Sequence, residues 1–182
     1  MKKGLLLVDV QNEYVSNGKL ALPDIEPALH QIGQLLDHFR AIGAPVLHLQ
    51  HVSLDPEAPF AADSSGWELH ERVRPELGEA VIAKYFPNGF RQTWLLSALQ
   101  QAQVSELVVA GAMTQICIDS TVRSALDFGF QVSVAADACA AGALEWDGQP
   151  IEASQVQRTF LAALSKVATV APTSELIAHP KS

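Results

Sequence analysis

The sequence is poor in cysteine and in positive charge. Only two cysteines, Cys117 and Cys139, occur among 182 residues, and neither belongs to a CxxC pair or to another cluster with zinc-ligand spacing. A disulfide framework and a structural zinc site are therefore excluded. Twelve Lys and Arg residues stand against twenty Asp and Glu residues, a formal net charge of −8. This balance argues against nucleic acid and against anionic membrane surfaces as partners.

Long apolar runs are also missing. The chain begins with two lysines like a secretory signal, but Asp9 interrupts the apolar run that follows, which is too short for a signal peptide. No stretch approaches the roughly 18 apolar residues that a membrane-spanning helix needs. We therefore expect a cytoplasmic protein with reduced thiols. The length and the ordinary glycine and proline content predict a single folded domain, residues 1–182.

Apolar runs that are typical of buried strands alternate with segments of helical periodicity. The predicted strands are 4–10, 45–52, 80–83, 106–110, 130–136 and 166–170. The predicted helices are 24–42, 90–102, 114–128, 152–164 and 173–177. This alternation predicts an α/β fold, with a doubly wound, mostly parallel sheet between two helix layers in a three-layer α/β/α arrangement. The irregular segment 53–79 is a long loop of the kind that often carries function.

Three reactive residues fall where strands of such a sheet end. Asp9 ends the first strand, Lys84 follows the short third strand, and Cys117 lies in the first turn of the helix after Gly111. Open parallel sheets bind ligands beyond the carboxyl ends of their strands. These residues, which are distant in sequence, can therefore meet at one edge of the sheet.

Cys117 and Asp9 each allow two interpretations. A helix N-terminus and a nearby Lys84 would lower the pKa of the Cys117 thiol and make it a nucleophile. Alternatively, Cys117 is a small buried apolar residue, which is the commoner role of a cysteine. A carboxylate in an apolar stretch is costly unless it is paired or functional, so Asp9 is either a working group or a cap or salt-bridge partner of Lys84.

Three segments, in order, carry a family resemblance. They are LVDVQNEY at 7–14, KYFPNGF at 84–90 and AGAMTQIC at 110–117, followed by TVRSA at 121–125. Together they resemble the isochorismatase-like cysteine hydrolase family over essentially the whole chain. The resemblance implies a catalytic triad of Asp9, Lys84 and Cys117, and it favours the interpretation of Cys117 as a nucleophile.

The family mechanism implies a cysteine-dependent hydrolase that cleaves a C–N bond through a thioester intermediate. Asp9 would shuttle the proton, Lys84 would stabilise the charges, and the backbone N–H groups of Met113 and Cys117 would hold the oxyanion. The resemblance also implies a non-proline cis peptide bond between Ala112 and Met113. It implies no cofactor.

The sequence departs from two relatives within the family. Nicotinamidases carry an Asp-x-His metal motif after the second strand. Here His48 and His51 lie three residues apart on a predicted strand, where they would point to opposite faces, so we predict no metal site. The best-known isochorismatases cleave a vinyl ether and lack the cysteine. Vinyl-ether hydrolysis and a non-catalytic binding or assembly role remain the alternatives, whereas a nucleotide or flavin module would lack its GxGxxG or GxxxxGK[ST] signature.

The substrate is expected to be a small, neutral or weakly charged amide or carbamoyl compound with an apolar part. The predicted substrate-binding residues are Gln11, Tyr14, Trp67, Phe90, Thr114 and Ile116. Trp67 and Phe90 are the preferred wall residues, and core packing is the alternative for each aromatic residue. Cys139 is expected to be structural. We also expect a homodimer or a larger homo-oligomer.

Overall fold

The structure, a computed structural model, describes residues 2–178. Met1 and residues 179–182, which belong to the predicted domain 1–182, lie outside the described residues. The strands are β1 (Lys2–Val8), β2 (Val46–His51), β3 (Ala80–Lys84), β4 (Val104–Ala112), β5 (Gln131–Ala140), β6 (Leu144–Trp146), β7 (Gln149–Ile151) and β8 (Thr169–Ala171). The helices are α1 (Ile25–Ala41), α2 (Leu95–Gln101), α3 (Asp119–Asp127), α4 (Ala153–Leu164) and α5 (Thr173–Ile177).

A parallel sheet forms the centre of the fold. Six strands pair in the order β3-β2-β1-β4-β5-β8, and every pair between them is parallel. The predicted α/β fold is therefore confirmed. The direction of winding reverses between β1 and β4, so the chain leaves these two neighbouring strands in opposite directions. Sheets of this type bind ligands at such a point, beyond the carboxyl ends of the strands.

Each face of the sheet supports its own apolar layer. Leu5 and Leu7 of β1 pack on one face with α1 and α5. Leu6 and Val8 pack on the other face with α2, α3 and α4. This division follows from the period of two along a strand, and the continuous apolar run of β1 is required because both of its faces are covered.

The segment before α2 differs from its predicted helical conformation. The helix was expected from residue 90 but begins only at Leu95. Local side-chain bonds hold the preceding residues in turns: Asn88 Oδ1 accepts from the Phe90 N–H, and the Thr93 hydroxyl donates to the Gly89 carbonyl. Such bonds offer the backbone an alternative to helical hydrogen bonding.

The remaining differences concern element ends and one hairpin. The predicted helix 114–128 divides into a wide π-helical turn, Thr114–Ile118, and α3. The antiparallel hairpin of β6 and β7 was not predicted, although Asp147 and Gly148 both have positive φ values, 50° and 70°, that a tight hairpin turn requires.

Within residues 2–178, no helix is both long enough and apolar enough to cross a membrane.

Candidate active site

The ammonium group of Lys84 lies at the centre of a buried polar cluster. Its Nζ is 2.7 Å from Asp9 Oδ2, 3.2 Å from the Phe86 carbonyl oxygen and 3.4 Å from Cys117 Sγ. Asp9 and Lys84 are fully buried, whereas Cys117 is 6% exposed. The structure thus brings together the three residues that the sequence analysis singled out.

Asp9 reaches Lys84 because its backbone breaks the alternation of β1. Val8 faces the α2 and α3 side of the sheet, as Ile82 of β3 does, so regular alternation would direct Asp9 towards α1. Asp9 instead has φ 50°, a left-handed conformation that aspartate tolerates better than most residues. Its carboxylate consequently meets Lys84, which lies on the same face as Ile82.

The turn that presents Cys117 begins with a close approach of two strands. Gly111 has φ 128°, and a methyl group at this position would collide with the Val8 carbonyl oxygen. The following Ala112–Met113 peptide bond is cis. The N–H groups of Ile116 and Ile118 both donate to the Met113 carbonyl, at 3.1 and 3.2 Å. Cys117 lies inside this wide turn and projects towards Lys84.

His51 completes the cluster and was not among the predicted site residues. It ends β2 and pairs in register with Lys84 at the end of β3, so the two side chains lie side by side. His51 Nδ1 is 3.1 Å from Lys84 Nζ. A histidine that ends a strand next to a strand ending in the candidate lysine is the signal that could have identified it.

The cluster also contains a set of atoms that could bind a metal ion. One carboxylate oxygen of Asp9, one ring nitrogen of His51 and the Cys117 sulfur all lie within 4.8 Å of one another. Lys84 Nζ contacts each of these three residues. His48 does not join them, because its ring lies on the other face of the sheet and bonds Glu79 at 2.8 Å.

The ionisation of the cluster differs from the expectation for a helix N-terminus. Burial and the neighbouring Asp9 carboxylate raise the pKa of Cys117 to about 12, although Lys84 acts in the opposite direction. The predicted lowering of this pKa is therefore wrong. Burial alone would lower the pKa of Lys84, but Asp9 and Cys117 outweigh it and raise that pKa. At neutral pH the cluster holds a neutral thiol beside a lysine ammonium.

Gln11 forms hydrogen bonds that hold the backbone around the site in place. Its Nε2 donates to the carbonyls of His51 and Trp67 at 3.0 and 2.7 Å, and its Oε1 accepts from the His51 N–H at 2.8 Å. These bonds use both amide protons. Gln11 therefore holds the end of β2 against the loop 53–79, and its role in substrate binding stays a prediction.

Glu13 also holds backbone segments near the site through hydrogen bonds, and the sequence analysis did not identify it. Its buried carboxylate accepts from the backbone N–H groups of Lys19 and Phe60. A side chain at Gly66 would collide with this carboxylate. The Glu13 carboxylate thus joins Phe60 of the loop 53–79 to the segment that follows β1.

Of the predicted wall residues, Tyr14 and Trp67 lie on the segments around the cluster. Tyr14 is buried, with its ring edge-on to Phe60 at 5.2 Å. Burial raises the pKa of Tyr14, as do the charges of Asp9 and Cys117, so its hydroxyl lies in the field of the cluster. Trp67 is half-buried, and its Nε1 has no hydrogen-bond partner among residues 2–178.

The other predicted wall residues divide into two groups. Thr114 is fully buried, and its hydroxyl has no partner within the described part of the chain. Ile116 is half-buried beside Cys117. Phe90 instead packs on Phe128 and on Phe130, which precedes β5, with ring centroids 5.0 and 6.3 Å away. Its ring therefore lies towards the amino end of β5, and its role as a wall residue stays a prediction.

The chain is similar in sequence to a known protein family and to several known proteins. The family model "Isochorismatase domain" matches residues 3–170. The uncharacterized isochorismatase family protein YddQ of Bacillus subtilis is 44% identical over 96% of this chain and 98% of its own length. A streptothricin hydrolase of Streptomyces noursei is 41% identical over 75% of this chain, which spans 53% of that longer protein.

A solved structure of a similar protein has the same fold. The crystal structure of a protein from Oleispira antarctica, described as an isochorismatase hydrolase, superposes with a TM-score of 0.94. It is 43% identical in sequence and aligns over 98% of this chain and 97% of its own.

Proposed function

The chain belongs to the isochorismatase family, as its resemblance predicted, and from this premise we propose that it is a cysteine-dependent amidohydrolase. It would cleave a C–N bond of a small molecule through a thioester on Cys117. The observation that carries the proposal is the position of Lys84 Nζ, 2.7 Å from Asp9 Oδ2 and 3.4 Å from Cys117 Sγ. Hydrolysis is also the activity for which the streptothricin hydrolase is named.

The first half of the reaction forms the thioester. Because burial raises the pKa of Cys117 to about 12, the thiol must lose its proton as it attacks, and the adjacent Asp9 carboxylate accepts that proton. The sulfur bonds to the carbonyl carbon, and the carbonyl oxygen becomes an oxyanion. The backbone N–H groups of Met113 and Cys117 are the proposed donors to this oxyanion. Lys84 balances the negative charge throughout.

The second half releases both products. The tetrahedral intermediate collapses, the C–N bond breaks, and Asp9 returns the proton to the leaving nitrogen. A water molecule then attacks the thioester while Asp9 takes one of its protons. The C–S bond breaks, the acid product leaves, and the proton on Asp9 restores the thiol. Each proton that Asp9 accepts is thus given back within one turnover.

The substrate is proposed to lie between Tyr14, Trp67, Thr114 and Ile116, beside the exposed part of Cys117. Their side chains are mostly apolar, and the Thr114 hydroxyl and the Trp67 indole N–H have no hydrogen-bond partner among residues 2–178. Such a lining suits a small neutral or weakly charged amide with an apolar part. The net charge of −8 disfavours a polyanion.

Trapping the acyl-enzyme tests the proposal. We would screen primary amides, carbamoyl compounds and ureides for ammonia release, then quench a turnover mixture with acid and measure the intact mass. The expected adduct maps to Cys117, and Cys117→Ala abolishes both the adduct and ammonia release. Cys139→Ala, a change at the other buried cysteine, is the matched control and should retain activity. Activity on a vinyl ether that survives Cys117→Ala, or no hydrolysis at all, would contradict the proposal.

A further inference from the structure

His51 contacts the Lys84 ammonium but takes no part in the proton transfers between Asp9 and Cys117. An ammonium group has protons and no lone pair, so the 3.1 Å contact between Lys84 Nζ and His51 Nδ1 has one possible direction. Lys84 donates and Nδ1 accepts. Nδ1 therefore carries no proton, and the proton of the imidazole lies on Nε2.

The neutral form of the ring agrees with its surroundings. Burial and the neighbouring Lys84 charge lower the pKa of His51, against a weaker opposing influence from Asp9. This lowered pKa agrees with the neutral ring, carrying one N–H group, that the Lys84 contact requires.

The backbone of His51 is fixed on both sides. Gln11 accepts from its N–H and donates to its carbonyl. The ring lies edge-on to Phe60, with centroids 5.1 Å apart. Within residues 2–178, the ring makes its hydrogen bond to Lys84 alone, and the side chain is only half-buried. Nε2–H is therefore a fixed donor that the protein itself leaves free.

The His51 ring lies close to the reacting atoms. One ring nitrogen of His51 is within 4.8 Å of Cys117 Sγ and of the Asp9 carboxylate. A substrate carbon bonded to Sγ would consequently place its nearest substituents beside the His51 ring.

We infer that His51 is a specificity-determining residue, and that its Nε2–H donates a hydrogen bond to an oxygen of the substrate a few bonds from the scissile C–N group. The substrate class is then an amide that carries a second oxygen acceptor, a carbonyl or a carboxylate, on the acyl side. This inference rests on the proposed amidohydrolase function for the identity of the reaction. The assignment of the donor rests on the Lys84 contact alone.

Nitrogen NMR tests the donor without any turnover. In protein labelled with ¹⁵N-histidine at pH 7, His51 should show a protonated Nε2 and an unprotonated Nδ1. Lys84→Met removes the donor to Nδ1 and should release the ring into a mixture of tautomers. A His51 ring protonated at Nδ1, or at both nitrogens, in the unmodified protein would overturn the inference.

Matched amides test the acceptor. Oxamate, malonamate and succinamate carry a carboxylate, and acetamide, propionamide and butyramide carry a methyl group in its place. Acetoacetamide supplies a neutral carbonyl. His51→Leu should lower kcat/KM by roughly 10- to 100-fold for the best carboxylate substrate, or by roughly 2- to 10-fold for the ketone, the usual range for one hydrogen bond to a charged or neutral acceptor. The same change should lower kcat/KM for the methyl compounds by a smaller factor, so the ratio between the matched carboxylate and methyl substrates measures the contact with the acceptor. The control is His30→Leu, at an exposed position of α1.

The two proposals fail in different ways. If ammonia is never released, the amidohydrolase proposal fails, and protection of Cys117 from iodoacetamide by the same amides then measures binding. Protection by the acceptor-bearing compounds that His51→Leu abolishes still supports the role of His51. An equal loss for all compounds in His51→Leu, or protection by none of them, would overturn it.

Discussion

His48 and His51, three residues apart on β2, serve opposite faces of the sheet. His48 bonds Glu79 on the α1 side at 2.8 Å, whereas His51 contacts Lys84 on the opposite side at 3.1 Å. Because the two positions are separated by three residues along the strand, an odd number, the two rings lie on opposite faces. As a result, one short strand supports both a structural network and the candidate active site.

Asp9→Asn should separate catalysis from thiol reactivity. The amide keeps the shape of the carboxylate but cannot accept the proton, so kcat should fall by roughly 10²–10⁴. Because the Asp9 charge raises the pKa of Cys117, the same variant should be alkylated by iodoacetamide faster than the unmodified protein. Both rates can be measured at pH 8, with Asp127→Asn on the exposed end of α3 as the control. A loss of kcat under threefold would mean that Asp9 is structural.

Alkylation of Cys117 should depend on pH over an unusually wide range. The pKa of about 12 means that the thiolate fraction grows about tenfold per pH unit throughout the range from pH 7 to 10. Glutathione, a free thiol, should level off over the same range. The measurement is the rate of Cys117 labelling by peptide mass spectrometry, and a plateau near pH 8.5 is the contrary result.

Gly111→Ala should destabilise the fold severely. The residue has φ 128° and its missing side chain would strike the Val8 carbonyl oxygen, so β4 would have to move away from β1. Gly33→Ala is the matched control, since a Cβ there meets nothing within 4 Å. Within α1 that change should stabilise by about 0.5–1 kcal/mol. Urea unfolding followed by circular dichroism measures both, and equal effects would contradict the argument.

The network of Arg40, Glu79 and His48 should contribute stability that acid removes. Burial would raise the pKa of Glu79, but hydrogen bonds from Arg40 and His48 outweigh it and lower that pKa to about 2. A depressed carboxyl pKa stabilises the fold above the unfolded value of about 4.5, and the gain disappears as pH falls towards 2. Glu79→Gln should therefore be destabilised at pH 7 and approach the unmodified protein near pH 2. Glu57→Gln, in an exposed part of the loop 53–79, should show no such convergence.

Self-association is expected from the family resemblance and from exposed apolar side chains. Trp146 at the end of β6 is 80% exposed and Trp94 is 51% exposed, which is unusual for residues of this size. Multi-angle light scattering at micromolar concentration should give at least twice the mass of one chain. A mass of one chain would contradict the expectation.

The strand ends and their reactive residues could be predicted because a buried parallel strand has a simple signature. The apolar run of β1 and its break at Asp9 located the carboxyl ends of the strands. The family resemblance located Lys84 and Cys117. The left-handed backbone of Asp9 could not be read from the run itself, since it depends on the position of β3. The sequence analysis considered His51 only as a metal ligand together with His48, and so its pairing with Lys84 was missed.

The remaining errors concern two turns and the burial of one thiol. The helical periodicity around Phe90 competes with the hydrogen bonds of Asn88 and Thr93, which prevailed. The β6–β7 hairpin has few of the β-branched residues that mark a strand, but Asp147-Gly148 between its strands is a recognisable turn signal. The raised pKa of Cys117 was unpredictable without knowing how deeply the thiol is buried.

The positive charge in the cluster is the Lys84 ammonium group, which belongs to the polypeptide itself. Folding therefore brings this charge into the cluster, and neither dilution nor chelation can remove it. Lys84 is the last residue of β3, and β3 lies at the edge of the sheet with a strand partner on one side only. Edge strands open more readily than central ones. The charge balance of Asp9 and Cys117 therefore depends on the pairing of β3 with β2, and local fraying there would remove the cation from the cluster while the rest of the sheet stayed folded.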